Sequence, residues 1–262
     1  MMSSFILLTV FCYVAYRIYQ RFHSEKTIDP NGKYVLITGC DTGFGNLLAI
    51  ELDRQGFNVL AGVLNSTSIT ELTERLSRRA TVFQLDITNH DDIEAAYQLV
   101  KSKTNILHGL VNNAGIGRAG YIDWISMKLY QRTMDVNFFG QVAVTKKFLP
   151  LLIAKANSRV VNICSIMGFI SPPSMSAYCA SKYAFEAFSD CLRREMKVWK
   201  LHVSIVEPGW LRTPIIQGHE NHLRELWKEV PSAVQERWGD QFFDEVIDTY
   251  AINSPLDRKS VV

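Results

Sequence analysis

The sequence has almost no charge imbalance: 28 Lys and Arg stand against 26 Asp and Glu in 262 residues, a net +2. No dense basic stripe runs through it, so a nucleic-acid surface is not expected. Cysteine is scarce and irregular. Cys12, Cys40, Cys164, Cys179 and Cys191 are odd in number and show no CxxC or His-rich spacing. That excludes a disulfide framework and a zinc site, and no metal is expected; the thiols read as small buried hydrophobes. Internal repeats and low-complexity tracts are absent. Long apolar runs are nearly absent too, with one exception at the start of the chain.

That exception runs from Phe5 to Tyr16, interrupted only by Thr9, and extends from Ser3 to Tyr19 if Arg17 snorkels to the head groups. It is short against the roughly 20 residues a spanning helix needs. A cleaved signal peptide normally has a charged start and a small-residue cleavage site; here the start is Met1-Met2-Ser3-Ser4, and bulky Tyr16, Tyr19 and Phe22 follow. Residues 1–23 are therefore expected to be an uncleaved N-terminal membrane anchor. Arg17, Arg21 and Lys26 on its C-terminal side favour a cytosolic main domain. Residues 24–32, ending in Asp29-Pro30-Asn31-Gly32, read as a linker.

Beyond residue 33 the pattern alternates. Apolar runs at 33–37, 57–63, 81–85, 107–111, 159–164 and 201–206 read as strands. Stretches at 46–55, 69–78, 91–103, 130–154 and 177–199 have helical spacing, and 220–229 and 242–250 are helix-like. Strands apolar on both faces, separated by helices, predict an α/β domain: a doubly wound, Rossmann-type parallel sheet.

Directly after the first strand comes Thr38-Gly39-Cys40-Asp41-Thr42-Gly43-Phe44-Gly45. Glycines at such a turn permit a tight bend, a close backbone approach to pyrophosphate and close helix–sheet packing, and the following helix N-terminus attracts phosphate. No acidic residue marks the end of the second strand, near Val63 and Leu64. No cation stands there or at Thr42 to hold a 2′-phosphate, so NAD is expected rather than NADP. Tyr178 and Lys182 are four residues apart and share a helix face. A neighbouring ammonium lowers a phenol's pKa from about 10, which suits Tyr178 to proton exchange with an alcohol or carbonyl. Ser165 follows the fifth strand, at the sheet's carboxyl end where such folds bind ligands. His202 and His219 have no partners at metal-ligand spacing and read as structural or exposed. Asn65-Ser66-Thr67 fits the N-glycosylation acceptor pattern.

With these residues in view, the chain resembles the short-chain dehydrogenase/reductase superfamily over roughly residues 33 to 213. The glycine loop matches the family's TGxxxGxG, and Asn112-Asn113-Ala114-Gly115 matches its NNAG motif. The resemblance implies a catalytic set of Asn137, Ser165, Tyr178 and Lys182. It also implies that Asp86 meets the adenine and that Gly39, Asp41, Thr42, Gly43, Phe44, Gly45, Asn113, Ala114, Gly115, Tyr178, Lys182, Pro208, Gly209 and Thr213 contact the dinucleotide. The bland readings are that Asp86 caps a turn and Asn137 caps backbone groups. The wording of the glycine loop and Glu207-Pro208-Gly209-Trp210 look like the retinol dehydrogenase and 17β/3α-hydroxysteroid dehydrogenase branch. That implies a lipophilic alcohol or carbonyl as substrate, NAD as cofactor and an endoplasmic reticulum membrane location. Residues around 210–250, with Trp210, Leu211, Ile215, Ile216, Leu223, Leu226 and Trp227, read as a substrate lid or as packing onto the domain. Against the resemblance, no seventh strand is expected after Tyr250. A chain so shortened puts the family's homodimer in doubt, and its alternative is a catalytically weak cofactor- or partner-binding protein.

Overall fold

The computed structural model describes residues 11–13, 15–16, 28–209, 211, 215 and 218–252. The chain divides into two units, residues 1–30 and 31–262. In the first, residues 11–13 and 15–16 are helical, with Phe11, Tyr13 and Tyr16 exposed. Among the described residues no helix is long and apolar enough to cross a membrane. Most of the expected anchor, including Arg17, lies outside the described residues.

The second unit is built on six parallel strands: β1 (Tyr34–Ile37), β2 (Asn58–Val63), β3 (Thr81–Gln84), β4 (Gly109–Asn112), β5 (Arg159–Ile163) and β6 (His202–Val206). Their order is β3-β2-β1-β4-β5-β6, with the reversal between β1 and β4 that defines a doubly wound sheet. The register aligns Ile37 with Ala61 on one side and with Val111 on the other, so the strands end together beneath the glycine loop. The helices are α1 (Gly43–Arg54), α2 (Thr67–Arg75), α3 (His90–Lys103), α4 (Met127–Met134), α5 (Gln141–Ile153), α6 (Ser176–Glu195), α7 (His219–Glu229), α8 (Ser232–Trp238) and α9 (Asp240–Ile252). One of them, α8, has no counterpart in the sequence reading.

The long helix expected over 130–154 is interrupted. Between α4 and α5 the residues Asp135–Gly140 form a π turn, which swings Asn137 inward. Gly140 permits it, because a Cβ there would stand 2.8 Å from the Ile87 carbonyl oxygen. Such turns occur disproportionately at functional sites.

Two cores hold the unit together. The larger packs Leu36, Leu60, Leu110 and Val160 of the sheet against Phe148 and Leu192. The second lies among the C-terminal helices, where Trp124, Leu223, Trp227, Phe243 and Ile247 are buried together. Leu223 and Trp227 therefore pack onto the domain, the blander of the two readings offered for the lid. A buried polar ladder crosses the sheet: Asn112 Nδ2 donates to Thr145 Oγ1 (2.8 Å) and Asn162 Oδ1 (2.8 Å), and Asn162 Nδ2 donates to Ser189 Oγ (2.7 Å). It ties α5, β4, β5 and α6 in fixed register beneath the site.

Candidate active site

The glycine loop is stitched to the segment after β4. Thr38 Oγ1 accepts the backbone N–H of Asn113 and of Ala114 (both 3.0 Å), while Asn113 Nδ2 donates to the carbonyls of Thr38 (2.9 Å) and Gly39 (3.0 Å). Gly39 has φ +69°, and a Cβ on it would lie 2.7 Å from Ala114 Cα. A Cβ on Gly45 would lie 2.4 Å from the Gly39 carbonyl oxygen. Two glycines of the motif are thus required by protein packing. At the start of α1, Thr42 is extended and makes no side-chain cap, and the first turn holds no acid. An uncapped N-terminus of this kind suits an anionic pyrophosphate.

A cavity of about 290 Å³ opens over the carboxyl ends of the strands and runs from Asp41, Thr42, Gly43 and Phe44 to Tyr178 and Lys182. Gly39, Asp86, Asn113, Ala114, Gly115, Ser165, Pro208 and Gly209 also line it. Gly45 packs beneath the loop, and Thr213 lies outside the described residues.

The end of β2 carries no acid of its own, as expected, but one reaches it from the glycine loop: the Asp41 carboxylate accepts the backbone N–H groups of Leu64 and Asn65, both at 2.8 Å. It lies beside Leu64 on the cavity wall. Asp86 lines the cavity and also caps its own turn, its Oδ1 accepting from the Thr88 backbone N–H (2.8 Å) and hydroxyl (2.7 Å).

At the other end, β5 and α6 bring Ser165, Tyr178 and Lys182 together. Ser165 is buried; its Oγ accepts the Met167 N–H (3.1 Å) and meets the Tyr178 phenol. Lys182 is only 4% exposed, and its Nζ donates to the Ile163 carbonyl (3.0 Å) and stands 5.6 Å from the Tyr178 ring centre. Burial pushes the Tyr178 phenol up to about 12, against a smaller lowering by Ser165. Burial likewise pushes the Lys182 ammonium down. The expected depression of Tyr178 by Lys182 is not found in the protein alone: desolvation dominates, and the one lowering influence comes from Ser165.

Asn137 is fully buried in the π turn and its side chain is well occupied. Oδ1 accepts the Ile116 N–H (2.8 Å), and Nδ2 donates to the Ile116 carbonyl (2.9 Å) and Ser181 Oγ (3.0 Å). It anchors the loop after β4 against α6, and a Cβ on Gly115 would lie 3.4 Å from Asn137 Oδ1 and 3.9 Å from Lys182 Nζ. Cys164, beside Ser165, is no nucleophile: burial pushes its thiol up to about 12. No metal-ligating cluster occurs among the described residues.

His219, read from the sequence as structural or exposed, is structural and also reaches the cavity. It is 9% exposed and lines the cavity, with Nε2 3.2 Å from the Ile215 carbonyl oxygen. No local pattern signals such a residue, because its place depends on how α7 docks.

Residues 33–223 match the short chain dehydrogenase family. The chain belongs to that family. Like its other members it is an oxidoreductase, and the family's cofactor is a nicotinamide dinucleotide. Among curated relatives, it is 41% identical to retinol dehydrogenase 5 of Mus musculus over 225 residues, covering 84% of this chain and 70% of that protein. It is 43% identical to bovine (Bos taurus) 17-beta-hydroxysteroid dehydrogenase type 6 over 221 residues, covering 82% and 69%. It is also 38% identical to the mitochondrial D-beta-hydroxybutyrate dehydrogenase of Rattus norvegicus over 258 residues, covering 93% and 75%. Among solved structures, the 3-ketoacyl-(acyl-carrier-protein) reductase from Brucella melitensis complexed with NADH superposes with a TM-score of 0.67 at 25% identity, covering 70% of this chain and 78% of that one.

Proposed function

We propose that the protein is an NAD(H)-dependent dehydrogenase of lipophilic alcohols or their carbonyls, of retinol or hydroxysteroid type. The observation that carries this reading is the meeting of Ser165, Tyr178 and Lys182 at one end of a cleft whose other end is the glycine loop. The relatives named above include small-acid and lipophilic-alcohol enzymes, and the cavity lining favours the second. Ile116, Met167, Met175, Leu211 and Ile215 give it an apolar wall, which suits a greasy substrate better than a carboxylate.

The dinucleotide, when bound, supplies the hydride acceptor or donor and a positive charge beside the phenol. Ser165 holds the substrate oxygen by a hydrogen bond. Tyr178 takes the alcohol proton as hydride leaves carbon, or returns it to a carbonyl. Lys182 orients the ribose and biases Tyr178 toward phenolate. Asn137 fixes the Ile116 loop, and with it the wall opposite Tyr178. Asp41 supports NAD: its carboxylate accepts from Leu64 and Asn65 on the cavity wall at the end of β2, and a 2′-phosphate bound there would meet a like charge.

The N-terminal segment, residues 1–23, is read as an endoplasmic reticulum membrane anchor joined by residues 24–32 to a cytosolic catalytic domain. The apolar run and the flanking Arg17, Arg21 and Lys26 support this.

Tyr178→Phe tests the central assignment. Turnover of a lipophilic alcohol falls by at least about 100-fold while NADH binding, followed by fluorescence titration, is nearly unchanged. Near-full kcat in that variant overturns the assignment.

A further inference from the structure

Arg132 falls in none of the sequence motifs. It stands in the last turn of α4, is exposed, and lines the cavity beside Leu85, Asp86 and Ile87. Val136, four residues on, is buried in the same wall. A cation in the last turn of a helix ordinarily answers the free carbonyls of the helix end. Here the helical path does not end: the π turn Asp135–Gly140 and α5 continue it directly. The placement of Arg132 therefore has another cause.

The head of the side chain is held at the cavity's edge. Arg132 Nη1 donates to Thr88 Oγ1 at 3.2 Å, which joins α4 to the turn after β3. The Thr88 hydroxyl gives its own proton to Asp86 Oδ1 (2.7 Å), so toward the arginine it can only accept. Asp86 Oδ1 also takes the Thr88 backbone N–H (2.8 Å), and carboxylate, hydroxyl and guanidinium thus form one connected line. The close approach of Gly140 to Ile87 brings the two segments together. Among the described residues Arg132 makes no ion pair, and the bond to Thr88 is its single side-chain hydrogen bond. The other N–H donors of the guanidinium are left uncommitted.

We propose that Arg132 is a further dinucleotide-binding residue, which closes the adenine end of the cleft from the side of α4. The proposal rests on the reading of that cleft as the dinucleotide site. Its chemistry suits a purine: a guanidinium is planar, weakly hydrated and always charged, and it stacks on aromatic faces. Thr88 already fixes where the head lies, so little side-chain freedom is left to lose on binding. Asp41 borders this end of the cavity beside β2 and Asp86 borders it after β3. Arg132 and Lys182 are the only Lys or Arg residues in the lining, and Lys182 stands at the other end with Tyr178. Arg132 is thus the one permanent cation available to the adenine half.

The experiment is a fluorescence titration of full-length Arg132→Ala with NADH, followed by displacement of the bound NADH with AMP and, separately, with nicotinamide mononucleotide. The first competitor carries the adenine and the second does not. Affinity for NADH and for AMP falls about fivefold, the size of one partly exposed contact between a cation and an aromatic face. Affinity for nicotinamide mononucleotide stays at the parent's value. AMP binding equal to the parent's overturns the proposal. So does an equal loss for both competitors, which would make Arg132 a strut for the turn at Thr88 and nothing more. A parent that binds neither NADH nor AMP would bring down the reading of the cleft itself. A parent that binds both, matched by Arg132→Ala, brings down this inference alone.

Discussion

Asp41 shows how a side chain can be named from a motif while its partners stay hidden in the sequence. Spacing along the chain locates the ribose-binding acid at the end of β2, where Val63 and Leu64 stand. The structure brings the Asp41 carboxylate beside that place from more than twenty positions earlier, where it accepts two backbone N–H bonds at 2.8 Å. Replacing it by alanine frees those two donors and removes the opposing charge. Asp41→Ala therefore narrows the preference for NAD over NADP by about tenfold in kcat/KM, roughly 1.4 kcal/mol of differential binding. Steady-state kinetics with both cofactors checks this, and an unchanged ratio places the discrimination elsewhere. Tyr178, Lys182 and Ser165 were legible because helix spacing and strand ends are local facts. Asp41 was named through the glycine motif, but its bonds to Leu64 and Asn65, like the place of His219 on the cavity wall, depend on neighbours brought near only by the fold.

At the scale of the elements, the six strands were readable to within a residue or two because each is a short apolar run between turn residues. The π turn at Asp135–Gly140 was not. Its residues are compatible with ordinary helix, and what selects the wider turn is the close approach of Gly140 to Ile87 together with the bonds from Asn137 to Ile116. The glycine loop is the opposite case, where the sequence motif and the packing demand coincide. Gly45→Ala pushes a methyl to 2.4 Å from the Gly39 carbonyl oxygen, so the start of α1 must move off the loop. Overpacking of that kind costs about 1–3 kcal/mol. NADH affinity drops at least about tenfold and Tm falls by several degrees, which fluorescence titration and calorimetry measure. Wild-type affinity would mean the loop can shift without losing its shape for phosphate.

The whole molecule adds a question of placement and one of closure. If the N-terminal segment anchors the chain with Arg17 and Arg21 in the cytosol, Asn65, exposed just before α2, never meets the lumenal glycosylation machinery. The protein then sediments with membranes, resists alkaline carbonate extraction and carries no N-linked sugar. A glycosidase-sensitive mass shift overturns the orientation, and recovery in the soluble fraction overturns the anchor. Closure depends on α7, α8 and α9. Arg237 and the Trp238 indole both bond Asp123 (2.6 and 3.1 Å), and His219 and His222 are held neutral chiefly by burial. Their pKa values are lower folded than unfolded, so acid favours the unfolded state: stability is kept above about pH 6.5 and declines as pH falls below it. The C-terminal helices therefore lose stability as pH falls below about 6.5, and His219→Gln lessens that loss. Fluorescence melts of the parent and His219→Gln across pH test this, and an identical acid dependence in the two overturns it. The aromatic core of those helices makes the measurement easy. Trp124, Trp227 and Trp238 sit within 6 Å of one another or of a shared neighbour, Trp227 stacks on Phe243 at 4.7 Å, and among the described residues no tryptophan lies in a strand. Intrinsic emission is thus a built-in optical gauge of the cavity's roof: it can register opening, acid loosening and energy transfer to bound NADH without any label attached to the chain.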